Sequence, residues 1–248
     1  MKSLAIFALL LTLTACSGND EATEAASSEP LFGGEVTILT AEDGVQVTAE
    51  MLLVEGAASR GGVVLTHMLG HQRGDWEPLI EELITHGFDV IALDLRGHGQ
   101  SASELSFMEF STADWLACVG DVSAAIEPMA LNAREYSIFL IGGSIGANLS
   151  LLTAAEDGRI DGVVMLSPGL DYRGVEPLTV VDDYNPRPVM LVAAEDDPYS
   201  QESVEELAEE LTNSELIIYP DGGHGTQLLT SQPELLETLT NWLVSQLN

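Results

Sequence analysis

Positive charge is scarce in this chain. Lys2 is the only lysine among 248 residues, and the eight basic residues face 40 acidic ones, for a formal charge of −32. Binding to a phosphate backbone needs clustered Lys and Arg, so nucleic acid is not an expected partner. Electrostatic attraction to anionic headgroups is argued against on the same ground. Cysteine is nearly absent too. Two residues, Cys16 and Cys118, make neither a disulfide framework nor a Cys-rich zinc module. Aromatic residues are 6% of the chain, yet 46% is hydrophobic, which is a globular balance. The length suits one sizeable α/β domain and is too short for two ordinary ones. A large negative charge with depleted lysine resembles proteins adapted to high salt; the alternative is a merely acidic exported protein.

No apolar run is long enough to span a bilayer as a helix. The longest, Leu4 to Leu13, has the length of a signal-peptide core and follows the positive Lys2. It ends in Leu13-Thr14-Ala15-Cys16, which resembles the bacterial lipobox. That resemblance implies cleavage after Ala15 and lipidation of the Cys16 thiol, so residues 1–15 read as a lipoprotein signal peptide. Residues 16–30 are small, polar and acidic and read as a flexible tether. The implied product is an exported, lipid-anchored protein held at a membrane without a spanning helix. Ser17, where Asp would favour inner-membrane retention, leans toward the outer membrane.

From residue 31 to 248 the chain alternates strand and helix signals without a second linker. Glu35–Thr40 and Val45–Leu53 read as an antiparallel start. Strands follow at Gly62–Thr66, Asp89–Leu95, Tyr136–Ile141, Ile160–Leu166, Pro188–Ala194 and Ser214–Tyr219. Helical periodicity covers Trp76–His86, Thr112–Met129, Ile145–Glu156, Ser200–Leu211 and Pro233–Leu247. This alternation predicts an α/β fold with a mostly parallel central sheet covered by helices on both faces. In such sheets, functional residues gather on loops at the carboxyl ends of strands.

Three residues meet that condition. Gly142-x-Ser144-x-Gly146 stands between a strand and a helix, where small neighbours let a serine project from a strained turn. A serine hydroxyl needs a base, and His224 lies in the glycine-flanked loop after the last strand. The base needs a carboxylate to fix its tautomer. Asp197, just past the strand ending at Ala194, is the candidate, with Asp196 second. Either could instead cap the following helix. The other histidines carry weaker signals. His67 and His71 are four apart, but no Glu follows His67 and no helix is predicted there, so no metal site is read. No cofactor motif is present. His86 ends a helix, where a cation suits the dipole.

The order Ser144, Asp197, His224 resembles that of the α/β-hydrolase family, in particular its single-domain esterases, monoglyceride lipases and serine-aminopeptidase-like members. The likeness runs from about Glu35 to Leu247. Val63-Val64-Leu65-Thr66-His67-Met68-Leu69-Gly70 looks like the family's strand ending in His-Gly, with Met68 in place of the glycine. The resemblance implies an oxyanion hole from the backbone amides of Met68 and Ile145. Asp94-Leu95-Arg96-Gly97-His98-Gly99-Gln100-Ser101 looks like an architectural loop of the family, which makes His98 structural. The family's cap falls between Leu166 and Pro188. Here it spans about 168–187 and is short, which implies an open site and a small or accessible acyl substrate. Leu69, Leu170 and Tyr172, with Met68, are candidate pocket walls.

The function implied is a serine hydrolase that cleaves a small-molecule carboxylic ester through an acyl-enzyme on Ser144. A thioesterase or peptidase would share the same triad. A ligand-binding lipoprotein that keeps the fold without turnover is the reading from another class. Fold alone does not separate them.

Overall fold

The computed structural model describes residues 29–54, 59–101, 106–131 and 137–247. The signal segment, Cys16 and nearly all of the tether lie outside the described residues.

Eight strands form one sheet: β1 (Glu35–Thr40), β2 (Gln46–Leu52), β3 (Gly61–Thr66), β4 (Phe88–Leu93), β5 (Ser137–Gly143), β6 (Ile160–Leu166), β7 (Val189–Ala194) and β8 (Ser214–Tyr219). Their spatial order is β1-β2-β4-β3-β5-β6-β7-β8. β2 runs antiparallel to both neighbours. Every other pairing is parallel. The expected α/β architecture is therefore what the chain adopts. β3, β4, β5 and β7 are buried along their whole length, as strands covered on both faces must be.

Two apolar clusters make the core, one on each face of the sheet. On one face α2 (Thr112–Leu131), α3 (Ile145–Glu156), α4 (Val181–Tyr184) and α5 (Pro198–Glu210) enclose residues such as Val122, Leu149, Tyr184 and Leu207. On the other, α1 (Glu77–Thr85), α6 (Leu228–Ser231) and α7 (Glu234–Ser245) pack Leu79, Leu83, Leu239 and Leu243 against β3, β4 and β5. No helix among the described residues is long and apolar enough to cross a membrane.

Some boundaries differ from expectation for local reasons. β5 continues through Gly142 and Gly143, which pair with Met165 and Leu166 of β6, while Tyr136 lies outside the described residues. β4 stops at Leu93, because Asp94 turns its carboxylate inward to the backbone N–H groups of Arg73 and Gln100. α5 starts at Pro198 rather than Ser200. Proline suits the first helical turn, where its missing N–H costs nothing. α1 starts at Glu77, after a short 3-10 turn over Arg73–Trp76, again with a proline in its first turn.

The cap segment folds down onto the body. A two-residue hairpin joins Tyr172 to Val175, with Arg173 and Gly174 both at positive φ. Val175 and Tyr184 are fully buried. Asn148 of α3 donates both amide hydrogens, to the carbonyls of Gly169 and Val175, each at 2.8 Å. The start of the described chain is anchored as well. The buried Glu50 carboxylate accepts the N–H groups of Leu31, Phe32 and Gly34 at 2.7–2.9 Å.

Candidate active site

The turn from β5 into α3 positions Ser144. Its φ of 54° and ψ of −125° lie in a region costly for a non-glycine residue. Two glycines permit it. A Cβ on Gly142 would collide with the Gly146 carbonyl. A Cβ on Gly146 would collide with the carbonyls of Thr66 and His67, at the end of β3. The Ser144 N–H is held by the Leu166 carbonyl at 2.8 Å. Ile145 follows as the first residue of α3, where helical geometry leaves the backbone N–H without an intrahelical acceptor.

The structure brings Ser144, His224 and Asp197 together. The Ser144 hydroxyl donates to His224 Nε2 at 2.8 Å. On the far side of the ring, His224 Nδ1–H donates to Asp197 Oδ2 at 2.6 Å. That second bond fixes the tautomer, leaving Nε2 as the acceptor. Ser144 as a residue is nearly buried, whereas the His224 side chain remains 37% exposed. Asp196, the second candidate, holds backbone instead: it accepts the N–H groups of Gly222 and Gly223, the latter at 3.0 Å. Two adjacent carboxylates thus divide the work, one fixing the His224 ring and the other its loop.

Several supporting residues carried no signal in the sequence. Ser167, at the end of β6 with φ of 50°, accepts the Gly225 N–H at 2.8 Å. Gln227 accepts the His224 N–H at 3.0 Å. Ser200, in the first turn of α5, places its hydroxyl 3.4 Å from His224 Nδ1. Its position three residues after Asp197, on a helix opened by Pro198, is the one pattern that could have pointed to it.

Met68 is 3% exposed. Its side chain lies against Gly143, Gly225 and Thr226, wedged between the Ser144 turn and the histidine loop. Leu69 and Leu170 are half-buried. Tyr172 stands edge to face with the His224 ring at a centroid distance of 6.2 Å. Leu170 and Tyr172 are both tied to α5, through Ser203 and Ser200.

The remaining histidines are apart from this array. His67 is fully buried, with Nδ1–H donating to the Met68 carbonyl at 2.7 Å and Nε2 accepting the Leu95 N–H at 3.0 Å. It pins the turn after β3 to the loop after β4 and stays neutral. Burial first, then the adjacent His98, lowers its pKa from 6.5 to about 3. His98 is buried and lowered for the same first reason, and donates to the Arg96 carbonyl. Asp94 pairs with Arg73, and Arg96 pairs with Asp121 and Asp43. Cys118 is buried in α2, where burial pushes its thiol well above the usual range. His71 contacts Asp75 at 2.5 Å. Among the described residues no group of three or more His, Cys, Asp or Glu side chains could hold a metal ion.

A parallel sheet flanked by helices, with serine, aspartate and histidine converging in that chain order at its carboxyl edge, is the architecture of the α/β-hydrolases. Within that class the chain belongs to the family described as serine aminopeptidase, S33, whose model matches residues 57–185, more than half of the sequence. A model described as TAP-like protein matches residues 162–245. Human monoglyceride lipase is 33% identical over 107 residues, covering 43% of this chain and 34% of the lipase. A non-heme chloroperoxidase of Streptomyces lividans is 30% identical over 124 residues, covering 50% of this chain and 40% of that protein. These matches span well under half the length of those relatives. An esterase of Pyrococcus furiosus superposes with a TM-score of 0.73 at 22% identity, covering 87% of this chain and 91% of the esterase.

The two buried neutral imidazoles make stability depend on pH. Unfolded, both would protonate near pH 6.5; folded, both resist it. Their contribution is complete above pH 6.5 and is lost as pH falls, at up to about 1.4 kcal/mol per pH unit for each proton. Between pH 6.5 and 5.5 carboxylates are still largely ionised, so the histidines set the slope. Urea unfolding across that interval should show falling stability, with a shallower slope in His67→Asn. A flat profile in the parent protein would refute this assignment.

Proposed function

We propose that the protein is a serine hydrolase that cleaves carboxylic esters through an acyl-enzyme on Ser144. The observation that carries this reading is the 2.8 Å contact between the Ser144 hydroxyl and His224 Nε2 at a strained strand-to-helix turn. In acylation, Ser144 Oγ bonds to the ester carbonyl carbon while its proton passes to Nε2. Charge then accumulates on the carbonyl oxygen. The backbone N–H groups of Met68 and Ile145 are the candidate donors for it, and losing one such donor typically costs about 10²–10³ in rate. The imidazolium, stabilised through Nδ1 by Asp197, protonates the leaving alcohol as the carbon–oxygen bond breaks. A water molecule repeats the sequence in reverse and frees the acid.

The short cap, with Leu69, Leu170 and Tyr172 as walls, suits compact acyl groups. The family's description as serine aminopeptidase supports a second reading, cleavage of amides by the same acyl-enzyme. Amides demand more of the acid step, because nitrogen must be protonated to leave. The lipobox-like segment supports export and lipidation at Cys16, with the hydrolase domain tethered to a membrane, the outer one favoured.

Two experiments test these readings. A panel of p-nitrophenyl esters from acetate to decanoate should show highest kcat/KM for short chains. Ser144→Ala should lower it by at least about 10³-fold; retained turnover would rule out the acyl-enzyme. Aminoacyl p-nitroanilides, run alongside, decide between ester and amide preference. Expressed in a bacterium fed an alkyne palmitate analogue, the full chain should label and partition to membranes, and Cys16→Ser should do neither. Equal labelling of both would reject the lipid anchor.

A further inference from the structure

The turns that carry Ser144 and His224 both rest on the buried Met68 side chain. Two glycines on those turns make room for it. A Cβ on Gly143, the residue before Ser144, would stand 3.1 Å from Met68 Cγ. A Cβ on Gly225, the residue after His224, would collide with Met68 Sδ and stand 3.0 Å from Cγ and 3.7 Å from Cε. Thr226 closes the gap from the loop side. Its hydroxyl lies 3.9 Å from Met68 Sδ, and its Cγ2 faces Gly143. Gly143, Gly225 and Thr226 are all buried.

We propose that Met68 is a positioning residue, whose side chain, braced between Gly143 and Gly225, sets the separation of the Ser144 hydroxyl and His224 Nε2. This rests on the acyl-transfer reading. Proton transfer from Oγ to Nε2 uses their 2.8 Å contact, and a misplacement of about 1 Å can cost about 10²-fold in rate. The foot of the brace is fixed. The Met68 carbonyl accepts His67 Nδ1–H at 2.7 Å and the His71 N–H at 3.1 Å. The histidine loop is fastened by polar contacts to Asp196, Gln227 and Ser167, and Met68 adds an apolar stop between that loop and the Ser144 turn. An unbranched, flexible thioether suits such an irregular gap. Gly225 serves two ends. Its φ of 58° is left-handed, which glycine adopts without strain, and its missing Cβ leaves space for the sulfur.

A brace and a pocket wall have different kinetic signatures. A wall meets the acyl chain, so truncating it changes KM and the preference for chain length. A brace between nucleophile and base meets no part of the substrate. Truncating it lowers kcat and kcat/KM together, for every ester alike. The burial of Met68 and its contacts with both turns match the brace, whereas Leu69, Leu170 and Tyr172 are half-buried. With the side chain cut back, close packing no longer fixes the loop against the end of β5, and the gap is left for the loop to relax into.

The test measures kcat and KM for p-nitrophenyl acetate, butyrate and octanoate. It compares the parent protein with Met68→Leu, Met68→Ala, Gly225→Ala and the double variant Met68→Ala/Gly225→Ala. Met68→Ala should lower kcat about tenfold on all three esters, with KM within about twofold of the parent. Met68→Leu, close in volume, should recover most of that loss. Gly225→Ala should lose activity in the parent background, where its Cβ meets the sulfur. In the Met68→Ala background the same change should cost at least about fivefold less, because only the backbone strain remains. A raised KM that varies with chain length would make Met68 a wall and overturn the proposal. So would an unchanged kcat in Met68→Ala, or equal losses from Gly225→Ala in both backgrounds. Those results leave the ester-hydrolase reading intact while the parent is active and Ser144→Ala is not. An inactive parent, or turnover in Ser144→Ala, would instead remove the reading on which the brace rests. Where Gly225→Ala is too unstable to assay, melting curves read the same coupling. The double variant should melt above Gly225→Ala, and one that melts below it would overturn the brace.

Discussion

The rest of the site depends on one close approach of backbone to backbone. Gly146, in the first turn of α3, lies against the Thr66 and His67 carbonyls at the end of β3, and Gly142 lies against Gly146. Any side chain at either place would push helix and strand apart. That contact keeps Ser144 at a positive φ, and it also holds the Ser144 turn against the end of β3, next to Met68. Strain at Ser144, of order 1–3 kcal/mol, is held by the packing around it. α3 is buried through ten consecutive residues from Ile145 to Ala154, so it has little room to relax. His67 reinforces the same junction from the other side by clasping the Met68 carbonyl and the Leu95 N–H.

A second theme is the separation of charge. The formal charge of −32 sits mostly on the surface, including the glutamates of α5. Within the fold the buried cations are matched: Arg73 with Asp94, and Arg96 with Asp121 and Asp43. The buried histidines stay neutral. Asp197 is the carboxylate in contact with the His224 ring, and Asp196 is occupied by the glycine amides beneath it. In this acidic chain the carboxylate oxygen that touches the His224 ring is Asp197 Oδ2.

Much of this arrangement could be read from residue types and spacing. Ser144, Asp197 and His224 each follow a strand, and parallel sheets bring such loops together. The alternation of buried strands and amphipathic helices predicted the sheet and its two-sided cover. What escaped the sequence depends on phase and on distant backbone. Asp196 and Asp197 are adjacent, and only the turn between β7 and α5 decides which reaches the ring. Ser167 and Ser200 are ordinary serines until positive φ at one and the first helical turn at the other aim them at the histidine loop. Tyr172 could be read as a wall, but its hydroxyl contacts require the hairpin over Tyr172–Val175 and its seating on α5. The glycines ending β5 read as a turn, yet they complete the ladder with β6 first.

The central claim is that Ser144 is an activated nucleophile. Its most direct test is intact-mass analysis of the chain from Ser17 onward after treatment with a fluorophosphonate, followed by peptide mapping. The account predicts a single adduct on the peptide containing Ser144, slowed strongly when His224 is replaced. A folded protein that forms no adduct, or one whose adduct maps to another serine, would contradict it.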